Sequence, residues 1–272
     1  MIARPSLRAL CWVFLLFMLG PVSAGAEVVV LVHGYLGDRD SWAEAEIPKA
    51  LTGAGWVHGG HVLTTPQGAR LQPFTRRPVT PSFFAVELPS EAPLAFQAGR
   101  LADAMAELTR HFPDQEFILV GHSAGGVVAR LYVVTQPEAP VGGLVTIASP
   151  HLGTSKAGLG LMAGQSPLGM MAPFVGLGGL NRSQGLFADL LPARPRSTLF
   201  WLNHQEHPDI PYVSIVRREG GWKDGDLVVP EASQHLGNVP ALQGRARSVM
   251  SDGGHLLTPR DGPLLVRILA GL

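Results

Sequence analysis

Residues 28–32, Val28-Val29-Val30-Leu31-Val32, are apolar at every position, with no alternation of polar and apolar side chains. A strand with one wet face alternates. A continuous β-branched run marks a strand buried on both faces. Similar short apolar runs recur at 83–88, 117–120, 143–148 and 212–216, and 246–249 is strand-like. Between them the spacing turns helical. Residues 41–54, 94–111, 125–135 and 264–272 read as helices, and Pro113 ends the second. In that second helix Leu94, Phe96, Leu101, Met105 and Leu108 are counted among the apolar positions. Strands alternating with helices predict an α/β fold, with a mostly parallel central sheet and helices on both faces.

The first residues read differently. Arg4 and Arg8 precede an apolar run over 9–19, then Pro21 and small residues. Val22-Ser23-Ala24 and Ala24-Gly25-Ala26 both fit a signal-peptidase site. The expectation is a signal peptide over 1–26, one domain over 27–272, and an extracytoplasmic location, periplasmic or secreted. A chain of 272 residues less that segment suits one α/β domain. The full sequence has a formal net charge of +0 and no basic run, so neither nucleic acid nor an anionic membrane surface is an expected partner. No protein partner can be inferred. The single cysteine, Cys11, lies inside the signal segment. A mature chain without disulfides must be held by its core, and a hydrophobic content of 46% allows that.

One motif carries chemistry. Gly121-His122-Ser123-Ala124-Gly125 fits G-x-S-x-G, directly after a buried strand and directly before a helix. A nucleophile elbow is such a strand–turn–helix, with the serine lifted to the carboxyl end of the sheet. The plainer alternative is a glycine turn that happens to hold a serine, and the flanking elements argue against it. Earlier in the chain, Leu31 to Gly37 reads LVHGYLG. An H-G pair there sets bare backbone beside the elbow. The N–H of Tyr35 and the N–H of Ala124 are therefore the candidate pair of donors for an oxyanion.

A serine nucleophile needs a histidine to take its proton and a carboxylate to orient that histidine. In sites of this kind the chain order is serine, acid, histidine. Of His151, His204, His207, His235 and His255, the last fits best. It follows a strand, precedes the last helix, and stands after Gly253-Gly254. The acid falls in KDGDLVVP, where Asp226 is favoured over Asp224. Asp226 abuts the apolar Leu227-Val228-Val229, whereas Asp224 reads as the turn residue of Asp-Gly. Asp252 has the same turn context. Nothing in this set calls for a cofactor or a metal.

Residues 157–180, AGLGLMAGQSPLGMMAPFVGLGGL, carry no charge. The stretch is long enough to span a bilayer, but seven glycines and two prolines argue against a stable helix. It is expected to be a lid or acyl-binding cap inserted at about 151–195. Met162, Met170, Met171 and Phe174 would supply adaptable apolar surface, and contact with a lipid interface would be transient. A buried irregular insertion is the plainer alternative.

LVHGYLG, VGHSAGG, IASPHLGT, DGDLVVP and GGHLL appear in this order along most of the chain. Together they resemble the α/β-hydrolase superfamily, within it the bacterial lipase and esterase branch. That branch also includes relatives that deacylate lipid anchors. The resemblance implies Ser123 as nucleophile, His255 as base, Asp226 as acid, and oxyanion donors at Tyr35 and Ala124. Several secreted lipases of the branch use a calcium ion and a disulfide. Neither carries over, since the chain has no cysteine pair and no clear acidic cluster. The expected activity is hydrolysis of small-molecule or lipid esters. Alternatives are a thioesterase or amide-cleaving deacylase of the same fold, a non-catalytic binding protein, and a membrane-anchored scaffold.

Overall fold

The structure is a computed structural model that describes residues 28–157, 182–219 and 225–272. Among these, eight strands form one sheet in the order β3-β2-β4-β1-β5-β6-β7-β8. They are β1 (Val28–Val32), β2 (Val57–Thr65), β3 (Gly68–Pro73), β4 (Ser82–Glu87), β5 (Phe117–His122), β6 (Val141–Ile147), β7 (Tyr212–Arg218) and β8 (Ala246–Asp252). All pairings are parallel except β2 with β3.

The patternless β1 explains itself. Val28, Val30 and Val32 face one core, while Val29 and Leu31 face another. The first core is closed by α3 (Leu94–His111), α4 (Ala124–Thr135), α5 (Gln184–Asp189) and α6 (Thr198–His204). The second is closed by α1 (Ser41–Glu44), α2 (Ile47–Gly53) and the C-terminal helix α8 (Asp261–Leu269). A short α7 (Glu231–Gln234) lies between β7 and β8. Among the described residues, no helix is long and apolar enough to cross a membrane.

Four expectations are corrected. The helix expected over 41–54 is two helices. Pro48 lacks an N–H and cannot sit inside a continuous helix. The chain breaks at Glu46, with φ 55, and restarts so that Pro48 falls in the first turn of α2. The last helix begins at Asp261 rather than 264, with Pro263 in its first turn, where proline is tolerated. Phe96 is two positions from Leu94 and so falls off the apolar stripe of α3. It is 55% exposed, beneath the Arg100 guanidinium. The hairpin β2–β3 has no counterpart in the pattern, because Gly59-Gly60 interrupts β2 where its pairing with β4 shifts register.

One ion pair ties the sheet to the last helix. Arg217 on β7 and Asp261 at the start of α8 are both buried, with Nη2 2.5 Å from Oδ2. The same carboxylate oxygen accepts from the N–H and the hydroxyl of Thr258. Asp261→Asn would leave the guanidinium buried without a counter-charge. We expect it to lower the unfolding free energy by about 3–5 kcal/mol, read from urea denaturation. A midpoint equal to wild type would show that the pair contributes little.

Candidate active site

β1, β5, β6, β7 and β8 end along one edge of the sheet, and the loops leaving them meet there. β5 is buried at every residue up to His122. The next residue, Ser123, has φ 52 and ψ −127, and α4 starts immediately after it. A non-glycine residue held there costs about 1–3 kcal/mol. The turn survives because its surroundings fix it: Ser123 N–H donates to Ile147 O at 2.8 Å, and Gly126 N–H to Ser123 O at 3.1 Å. Backbone packs close on both sides. A Cβ on Gly125 would lie 2.2 Å from His33 O, and one on Gly34 would lie 2.9 Å from the Ser123 Cβ.

The loop after β8 brings His255 to this serine. Its Nε2 is 2.8 Å from Ser123 Oγ, and its Nδ1 is 2.8 Å from Asp226 Oδ2. A carboxylate only accepts, so Nδ1 carries the proton and Nε2 presents a lone pair to the hydroxyl. The other carboxylate oxygen, Oδ1, accepts from the N–H groups of Val228 at 3.0 Å and Val229 at 2.7 Å. Burial pushes the Asp226 pKa up. The His255 hydrogen bond, the His255 charge and the two amides outweigh it, so the carboxyl sits below its usual range. The site therefore keeps an ionised carboxylate against the Nδ1–H of His255.

A family model, the PGAP1-like alpha/beta domain, matches residues 24–157, which include β1, the elbow and β6. Just under half of the chain is thus similar to that domain, and its fold is the α/β-hydrolase fold. No curated protein matches it. Among solved structures it is similar to the lin2722 gene product of Listeria innocua, 16% identical over 88% of this chain and 90% of that one, with a TM-score of 0.57. It is also similar to the mature Bacillus licheniformis lipase BlEst2, 15% identical over 90% of this chain and 93% of that one, TM-score 0.54. A third is the metagenomic carboxyl esterase MGS0156, 16% identical over 92% of this chain and 76% of that one, TM-score 0.55. At such identities the likeness is one of fold.

The other expected residues of this α/β-hydrolase fold divide. Tyr35 and Ala124 both line the cavity over Ser123, and the backbone N–H of neither has an acceptor among the described residues. Met162, Met170, Met171 and Phe174 lie outside the described residues, as does Asp224. The cavity measures about 330 Å³, and Tyr35, Ala157, Phe187, Leu190, Val228 and Leu256 give it apolar walls. Among the described residues, no three potential metal ligands cluster.

Sequence reasoning missed the residues that hold the loops. His33 is buried, accepts from Leu88 N–H at Nε2 and donates from Nδ1 to Gly34 O, which braces the Tyr35 turn. Burial holds its pKa below the ordinary histidine value, against the Gly34 hydrogen bond and the Glu87 and Asp38 charges. Gln234 takes Arg217 N–H on its oxygen and gives its amide to Arg217 O and Val229 O, joining β7 to the acid loop. Thr154 Oγ1 donates to Val228 O on the same loop. The one signal for any of these was the H-G pair at His33. Gly125→Ala should wedge the elbow from the end of β1 and lower stability by about 1–3 kcal/mol. An unshifted urea midpoint would refute that packing argument.

Proposed function

We propose that this chain is a serine hydrolase of carboxylic esters, with Ser123 as nucleophile, His255 as general base and acid, and Asp226 as the orienting carboxylate. The observation that carries the reading is the unbroken hydrogen-bond chain from Ser123 Oγ through His255 to Asp226 Oδ2. Nε2 of His255 removes the hydroxyl proton as Oγ attacks the ester carbonyl. The tetrahedral oxyanion forms between the N–H groups of Tyr35 and Ala124, each such donor being worth about 3 kcal/mol. The imidazolium then protonates the leaving alcohol. Water, activated by the same Nε2, hydrolyses the acyl-enzyme. Asp226 stays ionised throughout and favours the imidazolium.

The apolar walls of the cavity support a lipid-like acyl group as the substrate half bound there. The basic start, apolar run and small-residue site in the first 26 residues support export before the protein acts.

The test pairs a fluorophosphonate probe with a series of p-nitrophenyl esters of increasing acyl length. Wild type should be labelled and should turn over the longer esters faster, and Ser123→Ala should lose both activities. A folded wild type that neither labels nor hydrolyses would leave a non-catalytic protein of this fold. Asp226→Asn should cut kcat by about 10⁴-fold with the fold intact, because the histidine loses its oriented tautomer. Near-wild-type turnover in that variant would move the acid elsewhere.

A further inference from the structure

The hydrogen bonds that fix the His255 ring leave its main chain to be accounted for. The loop that carries it is thinly tied. Gly253 N–H reaches Arg218 O at 3.2 Å, Arg217 Nη2 reaches Leu256 O at 3.5 Å, and Thr258 bonds to Asp261. Gly254 and Leu256, on either side of His255, are exposed. Among the described residues, one hydrogen bond reaches the His255 main chain. It comes from His122, whose Nε2 lies 2.9 Å from the His255 carbonyl oxygen.

A carbonyl oxygen only accepts, so Nε2 of His122 carries the proton. The donor is the residue before Ser123, at the variable position of the elbow motif, and its partner is 133 residues away. The ring also borders the Gly34 backbone, where an added Cβ would lie 3.4 Å from its Nδ1. His122 thus touches the strand end that offers the Tyr35 N–H, adjoins the nucleophile, and holds the loop of the base. The titratable and charged groups around it are His255, Arg217 and Asp226. Burial, reinforced by His255, pushes its pKa down to about 3. It keeps its tautomer across neutral pH, and it adds no positive charge beside an imidazolium forming on a ring 5.4 Å away.

We propose that His122 is a positioning residue: its Nε2–H grips the His255 carbonyl and so holds the His255 ring on the line between Asp226 and Ser123. The proposal rests on the hydrolase reading and extends it to a residue that never touches the reacting atoms. Asp226 constrains one ring nitrogen, and His122 constrains the backbone from which the ring hangs. Two points fix an orientation that one leaves free to swing. A displacement of about 1 Å at a reacting group can cost about 100-fold in rate.

The test compares His122→Gln, which keeps an N–H at similar reach, with His122→Leu, which fills the space without a donor. For a short p-nitrophenyl ester, the leucine variant should lose about 10- to 100-fold in kcat and in fluorophosphonate labelling, with KM within about twofold. The glutamine variant should recover most of that loss. Should the leucine variant fail to fold, His122→Asn replaces it, since its amide falls short of the carbonyl. Wild-type kcat without the donor, or equal losses with and without it, would reduce His122 to packing. Should wild type neither label nor hydrolyse, the hydrolase reading fails by itself. The His255 Nδ1–H proton signal in NMR then decides: broadened or shifted without the donor but kept with glutamine supports positioning, and unchanged in both overturns it.

Discussion

The structure depends on one backbone constraint, the left-handed Ser123 between β5 and α4. A side chain held at positive φ is unfavourable in isolation, so its neighbours must over-determine it. β5 supplies a fully buried strand in the middle of the sheet, and α4 supplies a helix locked into the larger core. The backbone of β1 closes on the turn so tightly that Gly125 has no space for even a methyl group. Tyr35 and Ala124 line the cavity beside that serine, and among the described residues neither N–H has an acceptor. The strained turn and the close glycine contacts therefore share one origin, the approach of two strand ends.

Around that point the loops are stitched in pairs. Asp226 spends one carboxylate oxygen on His255 and the other on the amides of its own loop. Gln234 links that loop to β7, and Arg217 links β7 to Asp261 and the His255 loop. Asp226 and His255 are thus set by a common strand. Most of these bonds join a side chain to a main-chain group, which suits irregular loops whose amides have no strand partner.

Much of this was legible in the order of residues, for physical reasons. Strands buried on both faces must be apolar throughout, so β1, β4, β5 and β6 show plainly. The elbow shows because a tight turn needs glycine on both sides of one serine. Asp226 stands out from Asp224 because apolar residues follow it, and it is indeed buried. What stayed hidden was either weakly patterned or long-range. β2 carries His58-Gly59-Gly60-His61, which no alternation rule reads as a strand. His122 and Gln234 look like ordinary polar residues, because their partners are fixed only when distant segments meet.

The residues of the site are far apart along the chain: His255 lies 132 positions from Ser123 and 29 from Asp226. No local segment can therefore display the hydrogen-bond chain. It exists only after β1, β5, β6, β7 and β8 have all paired, and such non-local pairings are the slow steps of folding. A chain whose last strands are still unpaired would hold Ser123 without His255 beside it. Competence at the serine then becomes an all-or-none report that the sheet has closed.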